Sequence, residues 1–179
     1  MKITLINGCN ENTILGEETI KKLCEYLNTK GASYNLNNLP KLNLKNCTGC
    51  DSCQSIKPGI CVINDGINEI LKQYLNSDIA IIITPIKFGS CNSTTKIFID
   101  RTEPLALPYQ ISKKGKTIMK SRYSKYPNII FIGIADKNDI DSIENFKDTF
   151  ANCTLSLASN KVDIKIIKNN LDMEKFDFL

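Results

Sequence analysis

The chain has 179 residues, enough for one domain and not for two; 42% are hydrophobic and 23% charged, which supports a buried core and excludes intrinsic disorder. The 23 basic and 19 acidic residues leave a net charge of +4, too mild and too evenly spread to point to nucleic acid. Histidine and tryptophan are absent, which excludes His-dependent triads, HExxH zinc sites and every other histidine ligand.

The opening MKITLING reads as a buried strand at residues 2–7 that breaks at Asn7-Gly8. A signal peptide would need a longer apolar run and a small-residue cleavage site. Ile20, Leu23, Cys24 and Leu27 recur at helical spacing and predict a helix from about Glu17 to Lys30, stopped by Gly31. A weak alternation over 33–39 predicts a second strand, and 39–65, punctuated by Pro and Gly, reads as a long functional loop. Ile67, Ile70, Leu71 and Tyr74 carry a second helical face, with Asp65 placed to cap it. Residues 78–84 (DIAIIIT) are the strongest strand, a continuous run suited to the middle of a parallel sheet, and Pro85 is expected to end it. A third helix follows from about Thr94 to Thr102. Residues 105–127 have no period and carry Lys113, Lys114, Lys116, Lys120, Arg122 and Lys125 without one acidic residue, so they read as an irregular basic insertion. A strand over Asn128–Ala135, a helix over about Ile140–Ala158 and a strand over Lys161–Ile167 complete the chain. No apolar run reaches the roughly 18 residues of a membrane span.

Five strands alternating with four helices predict a single α/β domain over 1–179, with a doubly wound parallel sheet in the order 2-1-3-4-5 and helices on both faces. Such a sheet binds ligands at the carboxyl ends of strands 1, 3 and 4, so the loops after Asn7, Thr84 and Ala135 are the candidates. The first, Gly8 to Thr19, opens a helix where a phosphate would collect backbone amides and the positive helix end. Thr13, Thr19 and the Asn side chains add donors there. It is neither a Walker A nor a GxGxxG motif; Glu17 and Glu18 oppose a dianion, and an ordinary strand-to-helix turn is the plain alternative. In the second loop, Thr84 to Ser93, Gly89 lets backbone approach a ligand and Phe88 offers a flat apolar face to a planar heterocycle. The alternative is a Phe88 packed on the neighbouring helix.

Eight cysteines are present, and Cys47, Cys50, Cys53 and Cys61 stand in a C-x2-C-x2-C-x7-C pattern with Gly49 and Gly59 easing the turns, in a loop spanning 45–62. Three thiolates with two residues between each converge on a compact cluster as in bacterial ferredoxins, and a [4Fe–4S] cubane needs four thiolate ligands. Zinc held by four thiolates is a second reading, although structural zinc sites usually come as two separated C-x2-C pairs. A loop of free thiols is the third. Reduced thiols fit a cytoplasmic setting. Cys9, Cys24, Cys91 and Cys153 read as buried or incidental.

On these residues the sequence resembles the NADPH-dependent FMN reductase family of flavodoxin-like proteins, and within it the iron–sulfur flavoproteins. The stretches ITLING, CTGCDSCQSIKPGICVINDGINEIL and SDIAIIITPIKFGSCNSTTKIFIDR carry the likeness, the last almost position for position. The resemblance implies a flavodoxin-like fold that binds FMN. Its phosphate would lie at Gly8, Cys9, Asn10, Thr13 and Thr19, and its ring against Thr84, Pro85, Ile86, Lys87, Phe88, Gly89 and Ser90. Its outer edge would lie near Ala135 and Asp136. It further implies a [4Fe–4S] cluster on Cys47, Cys50, Cys53 and Cys61 that passes single electrons to FMN. A ferredoxin-like or NAD(P)H electron donor and a homodimer or homotetramer are also implied; the mild charge and short apolar runs predict no nucleic-acid or membrane partner. The sequence departs from the family pattern at Cys9, where Ser is usual, in lacking the Pro-Arg that follows, and at Lys87, where Tyr is usual. Two rival readings remain. One is a cluster-free NAD(P)H-dependent FMN or quinone reductase; the other is a flavin-free scaffold that binds a partner through a four-cysteine zinc site or the basic insertion.

Overall fold

The computed structural model describes residues 1–113, 115–135, 139–151, 159, 161–174 and 176. Continuous apolar runs dictate its centre. β1 (Lys2–Asn7), β3 (Ile79–Lys87) and β7 (Asn128–Ile134) are covered on both faces, which is why isoleucines follow one another in β3 and β7; in β1 the buried Thr4 satisfies its hydroxyl by donating to the Gln73 carbonyl at 3.1 Å. β2 (Ser33–Asn38) and β8 (Val162–Ile167) flank them and are less buried. The five strands pair in parallel in the order β2-β1-β3-β7-β8, with Leu5 opposite Ile81 and Ile81 opposite Ile130. This is the 2-1-3-4-5 order expected, and the chain reverses its winding direction between β1 and β3.

Alternate side chains of each strand feed two cores. α1 (Ile14–Thr29) lays Ile20, Leu23 and Leu27 against Ile3, Leu5, Ile81, Ile83 and Ile132 on one face. The opposite face buries residues of α3 (Ile67–Leu75), α4 (Ser93–Asp100) and α5 (Ile140–Ala151), among them Tyr74, Phe98, Phe146 and Phe150, against Ile6, Ile82 and Phe131. Each such side chain stabilises the fold by about 1.5–3 kcal/mol relative to exposure. A short helix, α2 (Leu39–Leu42), follows β2 inside the stretch read as loop.

Several elements differ from the sequence reading. α1 begins at Ile14 instead of Glu17; Ile14 is 71% exposed, so the first turn adds nothing to the apolar periodicity. Gly66, at φ 95°, occupies the N-cap position of α3, while Asp65 just before it accepts from the Ile67 amide at 3.4 Å and also pairs with Arg101. β3 does not stop at Pro85 but runs to Lys87, with Pro85 opposite Ile134. β1 has ended opposite Ile83, and the Gly8 carbonyl beyond it accepts from Asn92 Nδ2 at 2.7 Å, so no ladder bond is lost to the missing proline N–H. β3 then turns back into β4 (Ser90–Cys91), antiparallel to it.

The basic insertion is not irregular: β5 (Ala106–Lys113) and β6 (Lys116–Ser121) form an antiparallel hairpin, with Ile111 opposite Ile118. Residues 108–112 are exposed, so the strand lacks the burial alternation that would announce it. Arg122 closes its base, Nε donating to the Pro104 carbonyl and Nη2 to the Ala106 carbonyl, both at 2.9 Å. Of the helix expected to run to Ala158, the part after Ala151 lies outside the described residues, as does Cys153. No described helix is long and apolar enough to cross a membrane.

Asp78, between α3 and β3, accepts from Lys125 Nζ at 2.8 Å and from the Lys2 amide at 2.9 Å, and these hold its carboxyl down at about 2. Because the folded value lies below the ordinary 3.8, its contribution is present above that pH and is lost as pH falls toward 2. A carboxyl-resolved NMR titration should place the Asp78 midpoint near 2 and move it upward in high salt, since the ion pair is exposed. A midpoint near 3.8 at low salt would refute the pairing.

Candidate functional site

The carboxyl ends of β1 and β3 are tied by one polar network. The Gly8 amide donates to the Ile83 carbonyl at 2.8 Å, and Asn92 Nδ2 donates to the Gly8 carbonyl. Asn92 is also the N-cap of α4, its Oδ1 accepting from the Thr95 amide at 3.0 Å. Thr95 Oγ1 donates to Thr84 Oγ1 at 3.0 Å, which reaches Asn92 Oδ1 at 3.3 Å. One asparagine therefore holds the loops after β1 and β3 together. Sequence reasoning missed it, although an Asn followed by Ser-Thr-Thr ahead of an apolar helix is a capping signal. Gly8 leaves no room for a side chain: a Cβ there would lie 1.9 Å from Thr95 Oγ1. Gly8→Ala is expected to destabilise the fold by about 1–3 kcal/mol, read as a lower urea midpoint at unchanged slope. An unchanged midpoint would show that the junction yields.

The residues expected to line this end separate into those facing outward and those supporting from within. Asn10 is exposed and Thr13 half-buried at the head of α1; the Thr13 hydroxyl donates to Asn10 Oδ1 at 3.1 Å instead of capping the helix. Cys9 is buried under Gly16, and burial, with the Glu17 charge adding, pushes its thiol up to about 12, so the sulfur is inert. Thr19 is not brought to the loop; it is fully buried within α1 and its hydroxyl donates to the Leu15 carbonyl at 2.7 Å. Thr84 and Pro85 are buried, Ile86 and Ser90 half-buried, and Ala135 is buried at the end of β7. Asp136 lies outside the described residues.

Lys87 and Phe88 are exposed at the tip. Phe88 and Gly89 form the two-residue turn between β3 and β4, with φ of 49° and 73°. Two left-handed residues in succession match the hairpin twist, but the first is normally Asn, Asp or Gly. A phenylalanine there is a strained choice, and its side chain is fully exposed, which rules out the alternative of packing on a helix. Gly89 is confined by α5, since a Cβ would lie 2.6 Å from Asn145 Cβ.

The second feature lies at the other end of α4. Cys47, Cys50, Cys53 and Cys61 line one cavity of about 580 Å³, with Asp100, Arg101 and Glu103 among its other walls. Left-handed Gly49 and Asp51, at φ 65° and 55°, turn the loop about Cys50. The Cys50 thiol is lowered by the Ser52 hydroxyl and amide and by the Thr48 hydroxyl, which favours the ligating thiolate. Cys53 is raised, by burial first and then by the charges of Cys61, Glu103 and Cys47. Asn68 pins Cys61 to α3 by a pair of bonds, the Cys61 amide donating to Oδ1 at 2.9 Å and Nδ2 donating to the Cys61 carbonyl at 2.8 Å. Among the described residues, no three acidic, cysteine or histidine side chains are gathered closely enough to clasp a single ion. Thiolates on one zinc stand only about 3.8 Å apart, from a Zn–S bond of about 2.3 Å. The four thiols ring a wider space, and the seven described cysteines are all free of disulfides.

Asp65 and Arg101 frame that loop. Arg101 is 2% exposed and forks onto Asp65, Nη1 to Oδ2 at 2.9 Å and Nη2 to Oδ1 at 3.0 Å. It also donates to the Lys45 and Ile63 carbonyls at either side of the cysteines, and Asp65 Oδ2 accepts from the Lys45 amide at 2.8 Å. Burial works against the Asp65 carboxylate, but the Arg101 and Lys45 hydrogen bonds and the Arg101 charge outweigh it and hold the carboxyl below its usual range.

The family model for NADPH-dependent FMN reductases matches residues 1–120. The chain is 30% identical over 118 residues to an iron–sulfur flavoprotein of Methanocaldococcus jannaschii, covering 64% of this chain and 58% of that one. It is 32% identical over 104 residues to an iron–sulfur flavoprotein of Archaeoglobus fulgidus, covering 57% and 49%. It thus spans about half the length of the curated relatives it matches. Among solved structures, an NAD(P)H:quinone oxidoreductase from Methanothermobacter marburgensis superposes with a TM-score of 0.70 over 97% of this chain and 92% of that one, at 12% identity. That likeness is one of fold, and it identifies the doubly wound sheet as flavodoxin-like. The match over the first 120 residues takes in the strand-1 loop, the cysteine loop and the β3 turn; the chain belongs to the NADPH-dependent FMN reductase family.

Proposed function

We propose that this chain is a flavin-dependent oxidoreductase of the iron–sulfur flavoprotein kind, with FMN on the loops after β1, β3 and β7 and a [4Fe–4S] cluster on Cys47, Cys50, Cys53 and Cys61. The observation that carries the cluster reading is that all four cysteines border one cavity, a set of sulfur donors of the number a cubane needs. The names of the two archaeal relatives agree with it. For FMN the support is the family together with the strained, outward Phe88 and the uncapped head of α1. The first amides of α1 would receive the phosphate, as orphan helix donors do. Phe88 and the 85–89 backbone would cover the ring. Lys87 would set a positive charge beside it. When bound, FMN supplies one- and two-electron chemistry and the cluster supplies single electrons.

The two sites stand at opposite ends of α4, an eight-residue helix about 12 Å long. A homodimer or homotetramer that brings the cysteine loop of one copy toward the flavin loops of another shortens that path. NAD(P)H or a ferredoxin-like protein is the electron donor we infer, in a cytoplasm that keeps the thiols reduced.

Anaerobic purification, an absorption spectrum, and flavin, iron, sulfide and zinc assays on one sample test the reading. Flavin with about four iron and four sulfide per chain is expected of a cubane on four thiolates. Flavin without iron reduces the reading to a simple flavin reductase, and a colourless protein with stoichiometric zinc overturns it.

A further inference from the structure

A guanidinium offers five N–H donors. In Arg101 four of them are engaged, by the Lys45 carbonyl, the Ile63 carbonyl and the two Asp65 oxygens. The fifth, on Nε, is buried and has no acceptor. A dry, unpaired donor on a charged group is disfavoured, and few remain in folded proteins without a reason. The reason is visible in what else lines the space: Arg101 borders the same cavity as the four cysteines, and the Cys61 thiol interacts with its guanidinium. Holding the loop together requires only the two Nη groups. Nε is left over, in a side chain that borders the cysteine cavity.

We propose that Arg101 is the charged partner of the cluster, its Nε–H donating to a sulfur of the group held by Cys47, Cys50, Cys53 and Cys61 and raising that group's reduction potential. The proposal rests on the cluster reading above. Adding one electron makes the group one unit more negative while no bond forms or breaks, so a hydrogen bond to sulfur and a fixed positive charge favour the reduced state. Asp65 neutralises the guanidinium from the Nη side and leaves Nε without a partner. Asp51, Asp100 and Glu103 also line the cavity and act in the opposite sense. Arg101 is therefore a tuning residue that acts from within the wall.

The test uses the full chain purified anaerobically, with iron and sulfide assayed first and the cluster then titrated with dithionite against redox mediators. In the loaded fraction of Arg101→Gln, the equilibrium constant for one-electron reduction should fall at least tenfold, which is about 59 mV. Arg101→Lys, which keeps the charge without the fork, should fall between that variant and the parent. A role confined to holding the loop would lower iron content or melting temperature and leave the midpoint unmoved, and that result overturns the proposal. Should neither variant retain iron, the parent cluster decides. With isotopically labelled arginine and Arg122→Lys as background, Arg101 is the single labelled side chain. Pulsed EPR of the reduced cluster should then show coupling to an arginine nitrogen and to an exchangeable proton; their absence overturns the proposal. Parent protein without iron and sulfide overturns the cluster reading itself, and this inference with it.

Discussion

Cys50→Ala is expected to reduce bound iron to background while changing folding stability by no more than about 0.5 kcal/mol, as exposed positions do. Cys50 is exposed, so its sulfur contributes no packing. What it has is a thiolate favoured by Ser52 and Thr48, on a loop tip bent by two left-handed residues. A cubane deprived of one ligand leaves an iron open to solvent and is lost on purification. Iron and sulfide per chain, with a urea unfolding curve on the same sample, measure both halves. Cys91→Ala is the control: Cys91 is buried and does not line the cysteine cavity, so iron should persist in that variant. Iron unchanged in Cys50→Ala would sink the assignment of this ligand.

Asp65→Ala is expected to destabilise the protein by about 3–5 kcal/mol, because it strands Arg101 as a buried, uncompensated charge. The side chains of Arg101 and Asp65 are 1% and 8% exposed, so solvent cannot take over from the lost carboxylate. The same substitution frees the Lys45 amide and with it the start of the cysteine loop. Urea unfolding measures the loss, and Asp65→Ala/Arg101→Met should recover part of it by removing the orphaned charge. A loss below about 1 kcal/mol, the range of surface ion pairs, would mean that the pair is weak. The pH dependence has a definite sign. The Asp65 carboxyl is depressed in the folded state, so its contribution is full above the ordinary carboxylate value and disappears as pH falls through the lowered one. Acid should therefore loosen the cysteine loop earlier in a variant that weakens this pair than in the parent.

The parallel sheet and its order were legible because β1, β3 and β7 are buried on both faces, which β3 and β7 write as apolar runs and β1 as a short apolar stretch around Thr4. The β5–β6 hairpin was not, because an exposed ribbon has no buried face to impose a period. Pro85 misled for a related reason: a proline ends a strand only where a partner asks for its N–H, and that depends on where the neighbouring strand stops. At the site, the four cysteines were evident from spacing, since one loop brings them together. The residues that organise the site come from distant parts of the chain. Asp65 meets Arg101 and Asn92 meets Gly8 across tertiary contacts that leave no local pattern. Thr19 shows the converse: its type and position suggested a donor, and helical phase turned it inward.

α4 begins with the asparagine that fastens the strand loops and ends at the arginine that fastens the cysteine loop. Both fastenings depend on helical phase. Inserting or deleting one residue between Asn92 and Arg101 would swing one end against the other by about 100° and move it about 1.5 Å along the axis. No side-chain change could repair both attachments at once. The length of this helix is therefore constrained more tightly than the identity of its exposed residues, and lineages that keep both sites should vary α4 in composition and not in residue number.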